Sequence, residues 1–261
     1  MASSKGFRER IKSAAVESPI IVALDIVSGT QAPDSSEKWL EGIQRSATDI
    51  IDKVHASVCA IKLNFHLLLP LSATKLASVN RLAHSYGLLS IADIKLNDIE
   101  HTNEVALDSL VSMGFDGVIA NPFMGSQTLK ALTGKAHAKG AGVVALAYMS
   151  HPGAAEGYGL DVHQNGKQMP LYRIFIQRAK AAGADGIVVG AMQKQILAEL
   201  AASGDSLPIY SPGIGAQGAS VEDAVMNGCD YLIVGRSIIE ADDPAAAARE
   251  MKARAIKASK R

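Results

Sequence analysis

The 261-residue sequence is short of cysteine, of long apolar runs and of any surplus charge, and each shortage removes a class of protein. Only Cys59 and Cys229 are present, each inside an apolar run, with no CxxC and no second pair. That argues against a disulfide framework and reads as two buried, reduced thiols in a cytoplasmic protein. No stretch approaches the roughly 18 consecutive apolar residues of a membrane span. Residues 1–18 are charged and helix-like, with Ile11 and Val16 among their few large apolar residues, and lack the apolar core of a signal peptide. Lys+Arg and Asp+Glu each number 26, so the formal net charge is zero. Neither a nucleic-acid groove nor a membrane-surface patch is indicated, and an anionic ligand has to be met by local groups.

What is present points to a large core. Apolar residues make up 48% and charged residues 20%, a balance that argues against disorder. The length is close to the ~250 residues typical of an eight-unit (β/α) barrel. A phrase beginning Gly114-Phe115-Asp116-Gly117 recurs at Gly183-Ala184-Asp185-Gly186 and at Gly228-Cys229-Asp230-Tyr231, each copy followed by an apolar run. The first Gly suits the left-handed residue that ends a helix, and the run suits a parallel strand buried on both faces. Further strands are predicted over 20–26, 58–64, 88–94, 142–148 and 207–210, making eight, separated by helix-length segments. Alternating β and α of this kind implies a parallel sheet, closed or open. Closure is favoured because polar residues gather at the C-terminal strand ends: Asp25, Lys62, Asp93, Lys95, Asn121, Ser150 and Arg236. The expected architecture is one TIM-barrel domain over 1–261 with an additional N-terminal helix. Residues 151–169 are Gly-rich, polar and non-periodic, and read as a lid or binding loop. The seven histidines show no HxH or HxxxH spacing and read as surface or helix residues.

Three groups of residues carry chemistry. In Asp93-Ile94-Lys95 the two charged residues are two apart on a strand, so both point into the barrel near its top, with Asp98 just beyond. Buried charges are costly even when paired, so such a cluster points to function more than to packing. Lys62 ends the second strand and Asp25 the first, which makes an alternating array Asp25–Lys62–Asp93–Lys95 around one mouth. The third group is a phosphate cradle: Ser211-Pro212-Gly213-Ile214-Gly215-Ala216-Gln217-Gly218 follows the seventh predicted strand, and Gly235-Arg236-Ser237 follows the eighth. Glycines let backbone N–H groups approach an anion, an Arg grips phosphate with two donors, and these two loops are the usual phosphate position in a TIM barrel.

The run Asp93-Ile94-Lys95-Leu96-Asn97-Asp98-Ile99 followed by Thr102-Asn103 resembles the active-site motif of the orotidine 5′-monophosphate decarboxylases. Met149-Ser150-His151-Pro152-Gly153-Ala154, the run Pro212 to Gly218 and Val234-Gly235-Arg236-Ser237 are similar to that family as well. The resemblance implies a reaction that turns orotidine 5′-monophosphate (OMP) into UMP and CO₂ with no metal or organic cofactor. It implies that Lys95 protonates C6 of the pyrimidine, that Asp93 presses on the substrate carboxylate and holds Lys95, and that Lys62 orients Asp93 and contacts the ribose beside Asp25. Ser150 is implied to read the pyrimidine amide. Gln217 is implied to bridge that contact to the phosphate, with Pro212, Gly235 and Arg236 at the phosphate end. Asp98 and Thr102 are implied to reach a neighbouring subunit's site, with Ile99 supplying apolar packing, so a homodimer with shared sites is expected.

Two departures stand out: Ala219 where a further Gly is expected, and a long segment from Ile26 to Trp39. The nearest rival is a Mg²⁺-dependent sugar-phosphate decarboxylase or hexulose-phosphate synthase of the same superfamily. Such enzymes typically carry an acidic metal ligand where this chain has Lys62. A Schiff-base aldolase is disfavoured because Lys95 is flanked by carboxylates instead of being desolvated or beside a cation. A nucleotide-binding barrel without activity is disfavoured because Asp93 and Lys95 are both retained.

Overall fold

A computed structural model describes residues 5–26, 36–164, 166–204 and 207–260. Ten strands follow in chain order: β1 (Ile20–Ala23), β2 (Ala60–Asn64), β3 (Leu89–Leu96), β4 (Gly117–Ala120), β5 (Gly142–Tyr148), β6 (Asp161–Gln164), β7 (Lys167–Pro170), β8 (Gly186–Val189), β9 (Ile209–Pro212) and β10 (Tyr231–Val234). The helices are α1 (Phe7–Ala15), α2 (Glu37–Val54), α3 (Phe65–Leu68), α4 (Ala73–Ser85), α5 (Glu100–Ser112), α6 (Ser126–Ala138), α7 (Leu171–Ala182), α8 (Lys194–Ala202), α9 (Val221–Met226), α10 (Arg236–Ile239) and α11 (Pro244–Ser259). All the strands except β6 and β7 are parallel and close into a barrel in chain order, with β10 returning to pair with β1. The predicted TIM barrel and its N-terminal helix are therefore observed.

Two cores follow from strand alternation. Ile20, Val22 and Leu24 face outward and pack with the helices, whereas Ile21 and Ala23 face inward with Ile91, Ile119, Val144, Leu146, Val188 and Ile233. α1 closes the N-terminal end of the barrel. Phe7 and Ile11 are buried one turn apart, and Val16 is 77% exposed, so Phe7 rather than Val16 partners Ile11. A Cβ on Gly142 would lie 2.2 Å from the Phe7 ring and one on Gly117 2.9 Å, so glycine at the first position of β4 and of β5 makes room for the plug.

The repeated Gly-x-Asp phrase has a physical cause. Gly114, Gly183 and Gly228 all have positive φ at helix ends, as expected. Each Asp then clasps the strand beside it. The Asp116 N–H donates to Ser90 O at 2.8 Å, and its carboxylate accepts the Ser90 N–H at 2.8 Å. Asp185 does the same with Val143, and Asp230 with Ile209. His84 and His137 are helix residues, as expected, but each also places Nε2 beside a clasp carboxylate, 2.9 Å from Asp116 and 3.0 Å from Asp185. Burial alone would push the Asp116 carboxyl up, but His84, Arg10 and the Ser90 N–H outweigh it and hold it below the usual range.

Residues 151–164 and 166–169 hold more regular structure than their composition suggests. A short 3-10 helix, Pro152–Glu156, leads to the antiparallel β6–β7 hairpin. The base of this excursion is tied to the barrel by Tyr148, Tyr158, Tyr172 and Phe175, whose rings lie 5.7–5.9 Å apart in three contacts. Part of the long segment after Asp25, residues 27–35, lies outside the described residues.

Candidate active site

A cavity of about 210 Å³ opens at the C-terminal end of the barrel. Its floor is the apolar inner layer, and its walls include Asp25, Lys62, Asn64, Asp93, Lys95, Ser150, His151, Pro212, Gln217, Gly235 and Arg236. Strand ends thus bring together the predicted residues of the charged array, the pyrimidine position and the phosphate cradle.

Lys62 is 4% exposed and Asp93 8%, in register-paired strands β2 and β3. Lys62 Nζ donates to Asp93 Oδ2 at 3.0 Å, and Lys95 Nζ donates to Asp93 Oδ1 at 2.9 Å, so each carboxylate oxygen meets its own ammonium. Burial pushes the Asp93 carboxyl up, but the charges and hydrogen bonds of Lys62 and Lys95 prevail and hold it below the usual carboxylate range. The approach of Lys95 is not that of a regular strand. Lys95 has φ 47°, and the register with β4 shifts between Ala92 and Leu96. A bulge therefore aims the ammonium, where simple alternation predicts an undisturbed strand.

Asp25 lies two residues past β1, in a tight turn where its N–H donates to Ala23 O at 2.9 Å. Its carboxylate accepts a hydrogen bond from Asn64 Nδ2, and Asn64 Oδ1 in turn accepts from Lys62. Asn64 was not among the residues predicted to function, although the two-residue spacing that pairs Asp93 with Lys95 also puts Asn64 on the face of Lys62.

At the other wall, Gly190 and Gly213 let the loops converge. A Cβ on Gly190 would come 2.6 Å from Ser150 Cα, and one on Gly213 would come 3.0 Å from Gln217 Oε1 and 3.4 Å from Ser150 Cβ. Ser150 and Gln217 therefore approach each other across Gly213. The loop bearing Gln217 turns on Gly213, Gly215 and Gly218, all at positive φ, and Ser237 Oγ accepts the Ala216 N–H at 2.8 Å. Ala219 has no positive φ and bonds back to Gly213 and Gly215, so its departure from glycine introduces no strain. Arg236 is exposed at the mouth and forms no ion pair among the described residues.

Asp98, Ile99 and Thr102 are not brought into this chain's own cavity. Asp98 is exposed beyond the bulge, where its Oδ1 accepts the Ile99 N–H at 2.7 Å. Its main chain is held by Asn103, which accepts the Asp98 N–H and donates to Asp98 O. Thr102 is exposed and Ile99 is 69% exposed. The short sequence distance from Asp93 to Asp98 thus does not make one cluster within the chain, because β3 ends at Leu96 and turns outward before α5 begins. No group of three or more His, Cys, Asp or Glu is placed to hold a metal ion among the described residues.

Comparison with known proteins bears on this geometry. The family model described as "Orotidine 5'-phosphate decarboxylase / HUMPS family" matches residues 18–251. Orotidine 5′-phosphate decarboxylase of Methanosarcina acetivorans is 36% identical over 209 residues, covering 80% of this chain and 88% of the relative. That of Thermoplasma volcanium is 35% identical over 225 residues, covering 86% and 87%. Among solved structures, the enzyme of Methanocaldococcus jannaschii complexed with the inhibitor BMP superposes with a TM-score of 0.74 at 27% identity, covering 90% of this chain and 97% of that one. The Leishmania donovani OMP decarboxylase, at 23% identity and a TM-score of 0.82, covers 98% and 100% and supports the fold alone. The chain belongs to the orotidine 5′-phosphate decarboxylase / HUMPS family.

Proposed function

We propose that this protein decarboxylates OMP to UMP, the last step of de novo UMP synthesis, with its own side chains supplying the chemistry. The observation that carries the reading is the Lys62–Asp93–Lys95 pairing, with both carboxylate oxygens occupied by ammonium groups. A cation at Lys62 opposes a divalent metal there, which favours the decarboxylase branch of the family over the sugar-phosphate branch.

In this reading the C6–carboxylate bond breaks, the electron pair stays on C6, CO₂ leaves, and Lys95 Nζ delivers the proton to C6. Asp93, kept ionised by its two neighbours, repels the substrate carboxylate and holds Lys95 in place. A fixed ammonium beside the carbon that gains charge stabilises the transition state with little reorganisation. Lys62 and Asp25 hold the ribose, Ser150 reads the pyrimidine amide, and Gln217 links that contact to the phosphate held by Pro212, Gly235 and Arg236. Binding at the remote phosphate helps close the loops and so contributes to the chemical step.

Asp98, Ile99 and Thr102 act in a second copy's site within a homodimer. Support comes from the exposed apolar residues that follow three adjacent strands: Phe65 and Leu69 after β2, Ile99 after β3 and Phe123 after β4. A cytoplasmic setting suits the two free, buried cysteines, and among the described residues no helix is long and apolar enough to cross a membrane.

The test is to mix the purified protein with OMP and EDTA and follow the orotate absorbance. Loss of absorbance that is insensitive to the chelator and absent in Lys95→Ala is expected. No loss, or loss that the chelator stops, would overturn the assignment in favour of the metal-dependent branch or a non-catalytic barrel.

A further inference from the structure

Asn64 is the last residue of β2, on the same strand face as Lys62 and lining the cavity. Its carboxamide donates through Nδ2 to Asp25 Oδ1 and accepts through Oδ1 from Lys62 Nζ. With the bonds from Lys62 and Lys95 to Asp93, this forms an unbroken chain, Asp25–Asn64–Lys62–Asp93–Lys95, across the ends of β1, β2 and β3. The other Asp25 oxygen lies against the phosphate loop, since a Cβ on Gly235 would come 2.6 Å from Asp25 Oδ2.

We propose that Asn64 is a positioning residue that couples ribose recognition at Asp25 to the Lys62–Asp93–Lys95 array; the proposal rests on the decarboxylase reading above. The chemistry of the link is restrictive. A carboxamide offers a donor to the carboxylate on one side and an acceptor to the ammonium on the other. A carboxylate at this place would serve Lys62 but face Asp25 as a like charge, and an apolar side chain would serve neither. Lys62 has three donors, of which Asp93 and Asn64 take two, leaving one N–H for the ribose. Asn64 thereby sets the direction of that N–H and the rotamer of Asp25 together.

The test compares Asn64→Ala and the isosteric Asn64→Asp with the wild type in OMP turnover, UMP calorimetry and thermal denaturation. The titratable groups around the site are Asp25 from the end of β1, Lys62 from β2, and Asp93 with Lys95 from β3. Losing a hydrogen bond to a charged partner is expected to lower kcat/KM of Asn64→Ala about ten- to a hundredfold, with an intact unfolding transition. Its effect on UMP affinity is expected to shrink to within about twofold in an Asp25→Ala background, because the two residues act through one contact. For Asn64→Asp, the ratio of wild-type to variant kcat/KM is expected to fall as the pH is lowered, since like charges raise one carboxyl's pKa and protonation restores a donor. Wild-type activity in Asn64→Ala, an undiminished effect in the Asp25→Ala background, or a pH-independent ratio for Asn64→Asp would each overturn the proposal. A wild type that turns over no OMP would instead sink the decarboxylase reading, and the assignment of Asn64 with it.

Discussion

Lys95 adopts φ 47°, a left-handed conformation that costs an L-residue with a long side chain on the order of 1–2 kcal/mol. The surrounding strand bears that cost, and in return the ammonium meets Asp93 at 2.9 Å from within the bulge. The charges at Asp93, Lys62 and Lys95 were legible in the sequence because period-2 alternation makes a buried charge conspicuous. The bulge was not, since alternation alone already accounted for the pairing. Asn64 went unassigned because a carboxamide carries no charge whose burial would make it stand out. Asp93 also gives a stability test. Its carboxyl is held below its ordinary 3.8, so near that pH the unfolded chain binds a proton that the folded chain refuses. The stabilisation is therefore complete above the unfolded value and is lost as pH falls through the folded one. In urea unfolding from about pH 5 downward, wild type is expected to lose stability faster than Asp93→Asn. Parallel pH dependences would show that the pairing does not shift the carboxyl.

Elements were legible where periodicity was strong. The eight barrel strands appear where the apolar runs predicted them, with ends displaced by a few residues, as for β9, which is Ile209–Pro212 instead of 207–210. The β6–β7 hairpin escaped because its strands are four residues each and mostly exposed, so burial imprints little alternation on Asp161–Gln164 or Lys167–Pro170. A stronger signal lay in the Asn165-Gly166 dipeptide between them, a pairing favoured by tight hairpins. α1 was legible as a helix, but its anchor was not, because Phe7 gains its meaning only from the side-chain-free positions Gly117 and Gly142 far along the chain. Phe7→Ala is expected to destabilise the protein by about 3–5 kcal/mol, the usual cost of emptying an aromatic site in a tight core. Because the plug sits at the end away from the cavity, the folded variant should keep most of its kcat. Near-wild-type stability in chemical denaturation would mean that α1 closes nothing.

For the whole molecule, the proposed sharing of sites makes a complementation test possible. Lys95→Ala and Asp98→Ala homodimers are each expected to be nearly inactive. Random exchange of their subunits puts roughly a quarter of all sites in a heterodimer with both residues intact. Activity rising toward a quarter of wild type on mixing is expected, and a mixture as inactive as its parents would show that Asp98 serves its own chain. The Asp clasps carry a different consequence for the whole. They occur at β4, β8 and β10, which are the fourth, sixth and eighth staves of the barrel, and each reaches back to an odd-numbered stave. At the second stave the corresponding place is Cys59, whose N–H donates to Ile20 O at 2.8 Å and whose thiol also points at that oxygen. Burial pushes this thiol up to about 12, so it remains a neutral filler where the other three places hold an acid. The closed end of the barrel therefore counts in fours, as a ring of paired quarters, while the open end assembles its reagents stave by stave. The paired ring acts as a stator, and loops at the far rim can move or be exchanged without shifting the register beneath them.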